Sequence, residues 1–207
     1  ARHRVILFGI KESLYRAIQV LPQGKGVVTV KDALKGLPRL RSRLSKQKDS
    51  PEIWAKEVLS HVVALNKSAR NFGKTMKPLA ETLREIKPDV SDQAVCGSIR
   101  ETKTGRRTPS DELHNWYRDE DLKVWLNCET RGHMSSDLRR YVYAAAYAKT
   151  FGRSPKGAAE FQLEGLAPDH KNWKSGKFAD RFRVQSYGSP STTVTSHISK
   201  DGHYFIH

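Results

Sequence analysis

The sequence has little of what a membrane-spanning or disulfide-stapled protein needs. No stretch of its 207 residues approaches the roughly 18 consecutive apolar residues of a spanning helix. No amphipathic basic helix stands alone near either end, as a surface anchor would. Its two cysteines, Cys96 and Cys128, can form one bridge at most. Without a signal-peptide pattern, we expect a reduced, cytoplasmic protein with no membrane partner.

Acidic residues are scarce relative to basic ones. The chain has 37 Lys and Arg against 22 Asp and Glu, a formal charge of +15. Such an excess attracts polyanions, and it favours nucleic acid as the partner over an anionic membrane. Apolar residues make up 37% of the chain, below the roughly 45–50% of an average globular protein. The length still allows one cored domain or two small ones.

Metal-ligand patterns are missing as well. A structural zinc site needs four ligands with paired spacing, and the two cysteines do not supply it. Five histidines after position 130 lack both ligand spacing and carboxylate partners, so we expect no metal. These are His133, His170, His197, His203 and His207.

Two helices are predicted to form a hairpin in the first half of the chain. Ser50-Pro51-Glu52 is a typical helix start, with a capping serine, a proline in the first turn and an acid near the positive end. A second helix begins near Lys77 or Pro78 and stops at Lys87, before a proline. Apolar stripes at helical spacing predict that the two helices pack together.

A third helix and several short β segments complete the predicted secondary structure. Ser135 or Ser136 caps the helix, which ends before Gly152. Residues 27–30 are either a short strand or the lead-in to a helix at 31–35. Residues 97–110 are polar and predict an exposed loop, whereas Asp-Gly at 201–202 predicts a hairpin ending in a strand at 204–206. On the third helix, the residues expected to face inward are Leu138, Tyr141, Val142, Ala145 and Ala146.

Three basic segments are candidates for nucleic-acid contacts. Residues 39–48 carry five basic side chains and no acid, and they form either a solvated loop or a phosphate-facing one. Arg131 and His133 lie in a turn before the third helix and are candidate base-reading residues. Between 171 and 187 cations alternate with aromatic residues, which we expect in the core. The candidate phosphate contacts in this tract are Lys171, Lys174, Arg181 and Arg183.

Three stretches form a pattern when they are taken in order. The first is ARHRVILFGI at 1–10, where two arginines lead into an apolar run typical of a buried parallel strand. The second is VKDALKGLP at 30–38. The third is DRFR at 180–183, followed by PSTTV at 190–194 and KDGHY at 200–204. Together they resemble the Gln-x-Arg-x-Arg motif and the target-recognition region of a cytosine-5 DNA methyltransferase. The interior matches little, as the variable recognition region of that family implies.

The resemblance implies roles for particular residues. Arg4 is expected to help hold a cytosine flipped out of the duplex, and Arg2 to face the phosphate and the strained intermediate. A guanidinium suits both tasks because it stays charged and presents a planar fork of donors. Thr193 and Val194 are implied to lie at the groove beside the extruded base, where stiff β-branched side chains hold a loop edge. S-adenosylmethionine is the implied methyl donor.

The parts of the family that perform the chemistry are missing from this sequence. The family's nucleophile is a cysteine after a proline, but Cys96 follows Val95 and Cys128 follows Asn127. A Glu-Asn-Val motif and a Phe-x-Gly-x-Gly loop for S-adenosylmethionine are also absent. We therefore expect the partner of this chain to be the missing catalytic domain of the same enzyme, no cofactor to bind here, and no methyl transfer by this chain alone.

The sequence as a whole predicts an α+β fold. Residues 23–207 are expected to form a mixed target-recognition domain, and 1–22 to contribute a strand to a doubly wound, Rossmann-like methyltransferase sheet. The predicted function is sequence-specific binding of double-stranded DNA on the nucleoid. The alternative is a non-enzymatic basic protein that binds nucleic acid without sequence preference. A tyrosine recombinase fragment is disfavoured, because HNWYR at 114–118 does not supply the order of residues that such an enzyme needs.

Overall fold

The protein is a mixed α+β structure, as predicted. A computed structural model describes residues 9–15, 26–88, 96–103, 115–116, 118–119, 121–175, 181–192 and 205–206. Within this part of the chain, helices form the core and the strands form three two-stranded sheets. Most of the opening strand predicted at 5–10 lies outside the described residues. Gly9 and Ile10 are described, and they are exposed and belong to no helix or strand.

The first α-helix resolves the two interpretations of residues 27–30. Helix α1, Val30–Leu34, follows a lead-in rather than a strand, and it begins one residue earlier than predicted. Thr29 Oγ1 accepts a hydrogen bond from the Asp32 amide at 3.2 Å, and the Asp32 carboxylate accepts one from the Thr29 amide at 3.0 Å. This reciprocal capping box satisfies two amides that would otherwise lack partners. The lead-in interpretation is correct.

The longest helix begins where the sequence predicts. Helix α2, Pro51–Phe72, has Ser50 as its cap, and the serine hydroxyl accepts a hydrogen bond from the Ile53 amide at 3.2 Å. Gly73 ends the helix with a φ of 122° and a ψ of −177°, a conformation that is open to glycine and strained for other residues. The chain therefore turns sharply at this position.

The two remaining long helices agree with the sequence except at their ends. A short 3₁₀ helix leads into α3, Lys77–Arg84, which stops three residues before the predicted Lys87. Helix α4 is Ser135–Phe151, and Gly152 follows it in the left-handed conformation at φ 70°. Met134 occupies the cap position of α4, so Ser135 is its first residue rather than its cap. The Ser135 hydroxyl instead donates a hydrogen bond to Glu57 on α2.

The core lies between α2, α3 and α4. Leu65, Leu79 and Leu83 have no exposed surface, which confirms the packed hairpin of α2 and α3. On α4, Tyr143 and Ala144 are the most deeply buried residues. The helix is covered on two sides, because the chain after it returns to pack against it. The predicted face is therefore only partly correct, and three of its residues are half-buried: Tyr141, Val142 and Ala145.

The described strands are short and pair across long sequence separations. Strand β2, Arg100–Thr102, corrects part of the loop expected over 97–110, although the ends of the strand are exposed. Residues 104–110 of that loop lie outside the described residues. A strand at 205–206 agrees with the sequence, whereas the Asp-Gly turn lies outside the described residues. The pairs are β1, Arg43–Leu44, parallel to β4, Gly132–His133; β2, Arg100–Thr102, antiparallel to β3, Val124–Leu126; and β5, Arg183–Val184, parallel to β6, Phe205–Ile206.

A buried arginine ties the chain after α4 back to that helix. Arg140 Nη1 donates to Asp137 at 2.7 Å, Nε donates to the Leu166 carbonyl at 2.9 Å, and Nη2 donates to the Ala167 carbonyl at 3.2 Å. Both members of the Arg140–Asp137 pair are buried. A short helix α5, Gly157–Glu160, precedes this anchored loop. The guanidinium thus holds the loop that carries the aromatic side chains of the core.

Replacing Arg140 with alanine should destabilise the fold strongly. The change leaves the Asp137 carboxylate and two carbonyls without their donor inside the protein, and breaking one side of a buried pair costs about 3–5 kcal/mol. Urea unfolding measures this loss. The matched control is Arg139→Ala, because Arg139 donates only to the Glu164 carbonyl in an exposed contact, and about 1 kcal/mol is expected. Equal losses for the two variants would contradict the anchoring role.

Candidate nucleic-acid interface

The structure describes six of the ten residues singled out by the sequence. The catalytic candidates Arg2 and Arg4 and the groove candidates Thr193 and Val194 lie outside the described residues. The other six lie on three neighbouring parts of the chain. These are the turn before α4, the loop after α5 and the segment that leads into strand β5. They carry Arg131, His133, Lys171, Lys174, Arg181 and Arg183.

Backbone pairing brings the basic segment 39–48 beside the turn that precedes α4. The Arg43 amide donates to the Arg131 carbonyl at 3.1 Å, and the Ser45 amide donates to the His133 carbonyl at 2.9 Å. At Gly132, an added Cβ would lie 3.4 Å from the Leu44 carbonyl oxygen, in ordinary van der Waals contact, so the two backbones run close together. Two segments that the sequence treats separately therefore form one surface.

Two of the five cations in the basic segment are engaged within the protein. Arg41 is buried and forms a bidentate pair with Asp49, at 2.8 and 3.1 Å. Hydrogen bonding from Arg41 holds the pKa of Asp49 below its ordinary value despite partial burial. Arg43 forms a half-exposed pair with Glu129 at 2.9 Å. The segment is therefore partly structural.

The remaining cations of this surface are exposed. Arg39, Lys46 and Lys48 extend from the basic segment, and Arg131 extends from the adjacent turn. Because they follow a paired backbone, they are presented along one edge rather than on an unsupported loop. An anionic ligand can meet them together, and phosphate oxygens suit both guanidinium and ammonium groups.

A cluster of three side chains fixes the start of α4 next to this turn. The Ser135 hydroxyl donates to Glu57 on α2 and lies 3.2 Å from His61 Nε2. His61 Nε2 is also 3.3 Å from the Glu57 carboxylate. Burial lowers the pKa of His61, and the negative charge of Glu57 opposes that effect only in part. The same imidazole nitrogen faces both groups, so this arrangement is a tether and not a catalytic relay.

Ring contacts link the turn before α4 to the basic–aromatic tract. His133 meets Tyr141 edge-on at 5.0 Å, and Tyr141 lies 6.1 Å from Phe182. Phe182 in turn packs 5.4 Å from Phe161, which meets Trp173 edge-on at 5.6 Å. Trp173 and Phe182 are buried. This confirms for both residues that the aromatic side chains belong to the core.

The cations of that tract surround this buried cluster. Lys171 and Lys174 are exposed on the turn that buries Trp173 between them. Arg183 is exposed on β5, and Arg181 is half-buried just before it. The aromatic side chains thus pack in the core beneath these cations, and the two lysines and Arg183 are exposed to solvent. This division fits phosphate contact better than base stacking.

Sequence reasoning missed two further cations, which contact the Trp125 ring on strand β3. Lys103 Nζ lies 5.1 Å from the centre of the Trp125 ring, and Arg118 lies 5.0 Å from it. Cations at this distance are attracted to the indole face. Trp116, two residues before Arg118 in the sequence, is 84% exposed. The alternation of basic and aromatic residues was the available signal, but it is weaker here than in residues 171–187.

The two cysteines are half-buried thiols. Both are free. Burial raises the pKa of each thiol above its ordinary value. A reactive cysteine instead needs its thiolate form to be stabilised.

Comparison with known proteins gives no relative for this chain, since no family model, curated protein or solved structure matches it. None of the helices in the described ranges is long and apolar enough to cross a lipid bilayer. Within the same ranges, no group of three or more His, Cys, Asp or Glu side chains is placed to hold a metal ion.

The His61 tether should make stability depend on pH below neutrality. The unfolded imidazole has a pKa of about 6.5 and burial lowers it in the folded state, so the unfolded chain binds the proton more tightly. Stability is therefore complete above 6.5 and falls as the pH drops toward the folded pKa, with a slope of at most about 1.4 kcal/mol per pH unit.

Urea unfolding between pH 7.5 and 5.5 measures this dependence. In His61→Gln the slope over that window should be smaller than in the wild type. The control is His170→Asn, since His170 is exposed and the new side chain can still accept the Asn172 amide bond that His170 Nδ1 accepts at 3.1 Å. An unchanged slope in His61→Gln would rule out this histidine as the source.

Proposed function

We propose that this chain is the target-recognition region of a cytosine-5 DNA methyltransferase. In this role it binds duplex DNA, reads bases in the major groove and helps to hold a flipped cytosine for a catalytic domain on another part of the enzyme. The proposal combines the order of the three sequence motifs with the fold. It also accounts for the basic excess.

One observation carries the proposal. The start of the second resembling stretch is hydrogen-bonded to the segment between DRFR and PSTTV of the third, although the sequence separates them widely. The Val30 amide donates to the Ser189 carbonyl at 2.9 Å, and the Lys31 amide donates to the Tyr187 carbonyl at 3.0 Å. A recognition region that leaves a catalytic domain and returns to it requires its two ends to be neighbours. The motif at 30–38 begins at these contacts, and the motif at 190–194 directly follows Ser189.

The proposal assigns the remaining tasks by position. Arg2 and Arg4 would face the flipped cytosine and its phosphate, and Thr193 and Val194 would line the groove beside it. S-adenosylmethionine, which supplies the methyl group, would be held by the catalytic domain. The described cations would grip the duplex, with Arg131 nearest to the bases because it lies in the turn bounded by β4.

A second candidate is a basic nucleic-acid-binding protein without sequence preference. The cations around Trp173 favour it, since exposed lysines on a loop contact phosphates and carry no sequence information. The two candidates differ in one measurable respect. A recognition region discriminates among duplexes by roughly 10³ or more at physiological salt, and a tolerant binder does not.

Arg131→Ala should reduce sequence discrimination. An arginine at a base edge contributes about 1–3 kcal/mol to the preference for the correct base, so the ratio of Kd values between cognate and non-cognate duplexes should fall about tenfold or more. Selection from a random duplex library, followed by anisotropy titrations, measures this ratio. The control is Arg39→Ala, because Arg39 is an exposed arginine on the neighbouring segment. This change should weaken the binding of all duplexes by the same factor. Equal effects of the two variants would favour the tolerant binder.

The isolated chain should transfer no methyl groups. It has no cysteine after a proline and no loop for S-adenosylmethionine, so neither the covalent step nor donor binding is available. Incubation with duplex DNA and radiolabelled S-adenosylmethionine measures incorporation. The same chain should still retard duplex DNA in a gel. Methyl incorporation above the level of a boiled control would overturn this prediction.

A further inference from the structure

A basic cleft lies at the turn between α2 and α3. It has a volume of about 510 Å³ and is lined by four cations and one acid. Its lining residues are Arg70, Gly73, Lys74, Lys77, Ala80, Glu81 and Arg84. None of these residues belongs to the interface described above. Among the described residues, no carboxylate forms an ion pair with any of the four cations.

The shape of the cleft is set by the residues beneath it. Gly73 turns the chain sharply between the helices, and the Asn66 amide donates to the Ala80 carbonyl at 2.5 Å. Leu79 and Leu83 point into the core with no exposed surface. The opposite side of α3 therefore presents Lys77 and Arg84 to the solvent on a fixed backbone. A cleft with a rigid floor needs little reordering when a ligand binds.

We propose that this cleft binds the phosphates of a DNA strand, at a site separate from the surface that reads sequence. Lys77 and Arg84 are seven residues apart on one helix face, or about 10.5 Å along its axis. Both cations therefore extend toward the same side, where they can contact different phosphates of one strand. Arg70 and Lys74 flank the same opening.

The lining favours an anionic polymer over an apolar small molecule. Ligand pockets for small molecules are mostly hydrophobic and aromatic, whereas this cleft is open and has only glycine, alanine and charged side chains. An isolated phosphate would use one or two of the cations. A sugar-phosphate chain uses all four and releases a counterion for each phosphate that is neutralised. The inference rests on the proposed function only for the identity of the partner, duplex DNA.

The test is the salt dependence of DNA binding by the full chain. In Lys77→Gln/Arg84→Gln the slope of log K against log salt should fall by about 1.8, because each lost phosphate contact removes about 0.9. Affinity for a labelled duplex should weaken about tenfold at moderate salt, while the ratio between cognate and non-cognate duplexes stays unchanged. The charge-preserving variant Lys77→Arg/Arg84→Lys should keep the wild-type slope, and Glu81→Gln should bind more tightly.

Three controls make the result decisive. Lys56→Gln/Lys67→Gln removes two exposed lysines of α2 that do not line the cleft, and its slope should fall less. Thermal melting verifies that each variant is folded, and hydrogen exchange of the wild type should slow over 70–84 when duplex is added. An unchanged slope in Lys77→Gln/Arg84→Gln would overturn the proposal.

Other anions provide the remaining comparisons. Inorganic phosphate at constant ionic strength should not displace the duplex. Vesicles of phosphatidylserine and phosphatidylcholine should bind the wild type and the double variant equally. Loss of vesicle binding with an unchanged DNA slope would instead make the cleft a lipid site. A reduced slope without any sequence discrimination in the wild type would refute the proposed function and leave this inference intact.

Discussion

The ion pair between Arg41 and Asp49 is the interaction on which the candidate interface depends. Asp49 accepts both ends of the guanidinium and also the Leu44 amide, at 3.0 Å. These bonds close the loop and set the backbone direction of β1. The Arg41 carbonyl then accepts from the Thr130 hydroxyl at 2.9 Å, across 89 positions of sequence. The edge that presents Arg131 exists because one arginine of the basic segment is buried and no longer available to a ligand.

The helices could be predicted from the sequence because their signals are local. A serine cap with a following proline, or a glycine in the left-handed conformation after the last turn, acts within a few residues of the position that it determines. The strands could not be predicted with the same certainty. A strand of two or three residues, such as β1 or β2, is too short to show alternation, and its partner is set by the packing of α2 against α4. Phe205–Ile206 was identified because it is apolar, not because its parallel partner was visible.

Some residues of the candidate interface could likewise be predicted from the sequence, and others could not. Residue type identified the exposed Lys171 and Lys174 and the aromatic foundation beneath them, because a basic–aromatic alternation is visible in one segment. It could not separate Arg41, which is buried against an acid, from Arg39, which is exposed two positions earlier. Nor could it identify Arg118 and Lys103 as neighbours of one indole ring, since that contact requires the β2–β3 pairing. Charge predicts the partner, and only tertiary structure shows which charges remain for it.

The hydrogen bonds from Val30 to Ser189 and from Lys31 to Tyr187 also bear on how such a sequence can change. Chain between two points that are already pinned together behaves as a closed loop, and doubling the length of a flexible loop costs only about 0.6 kcal/mol in closure entropy. Insertions in exposed loops between residues 32 and 186 should therefore leave this junction undisturbed.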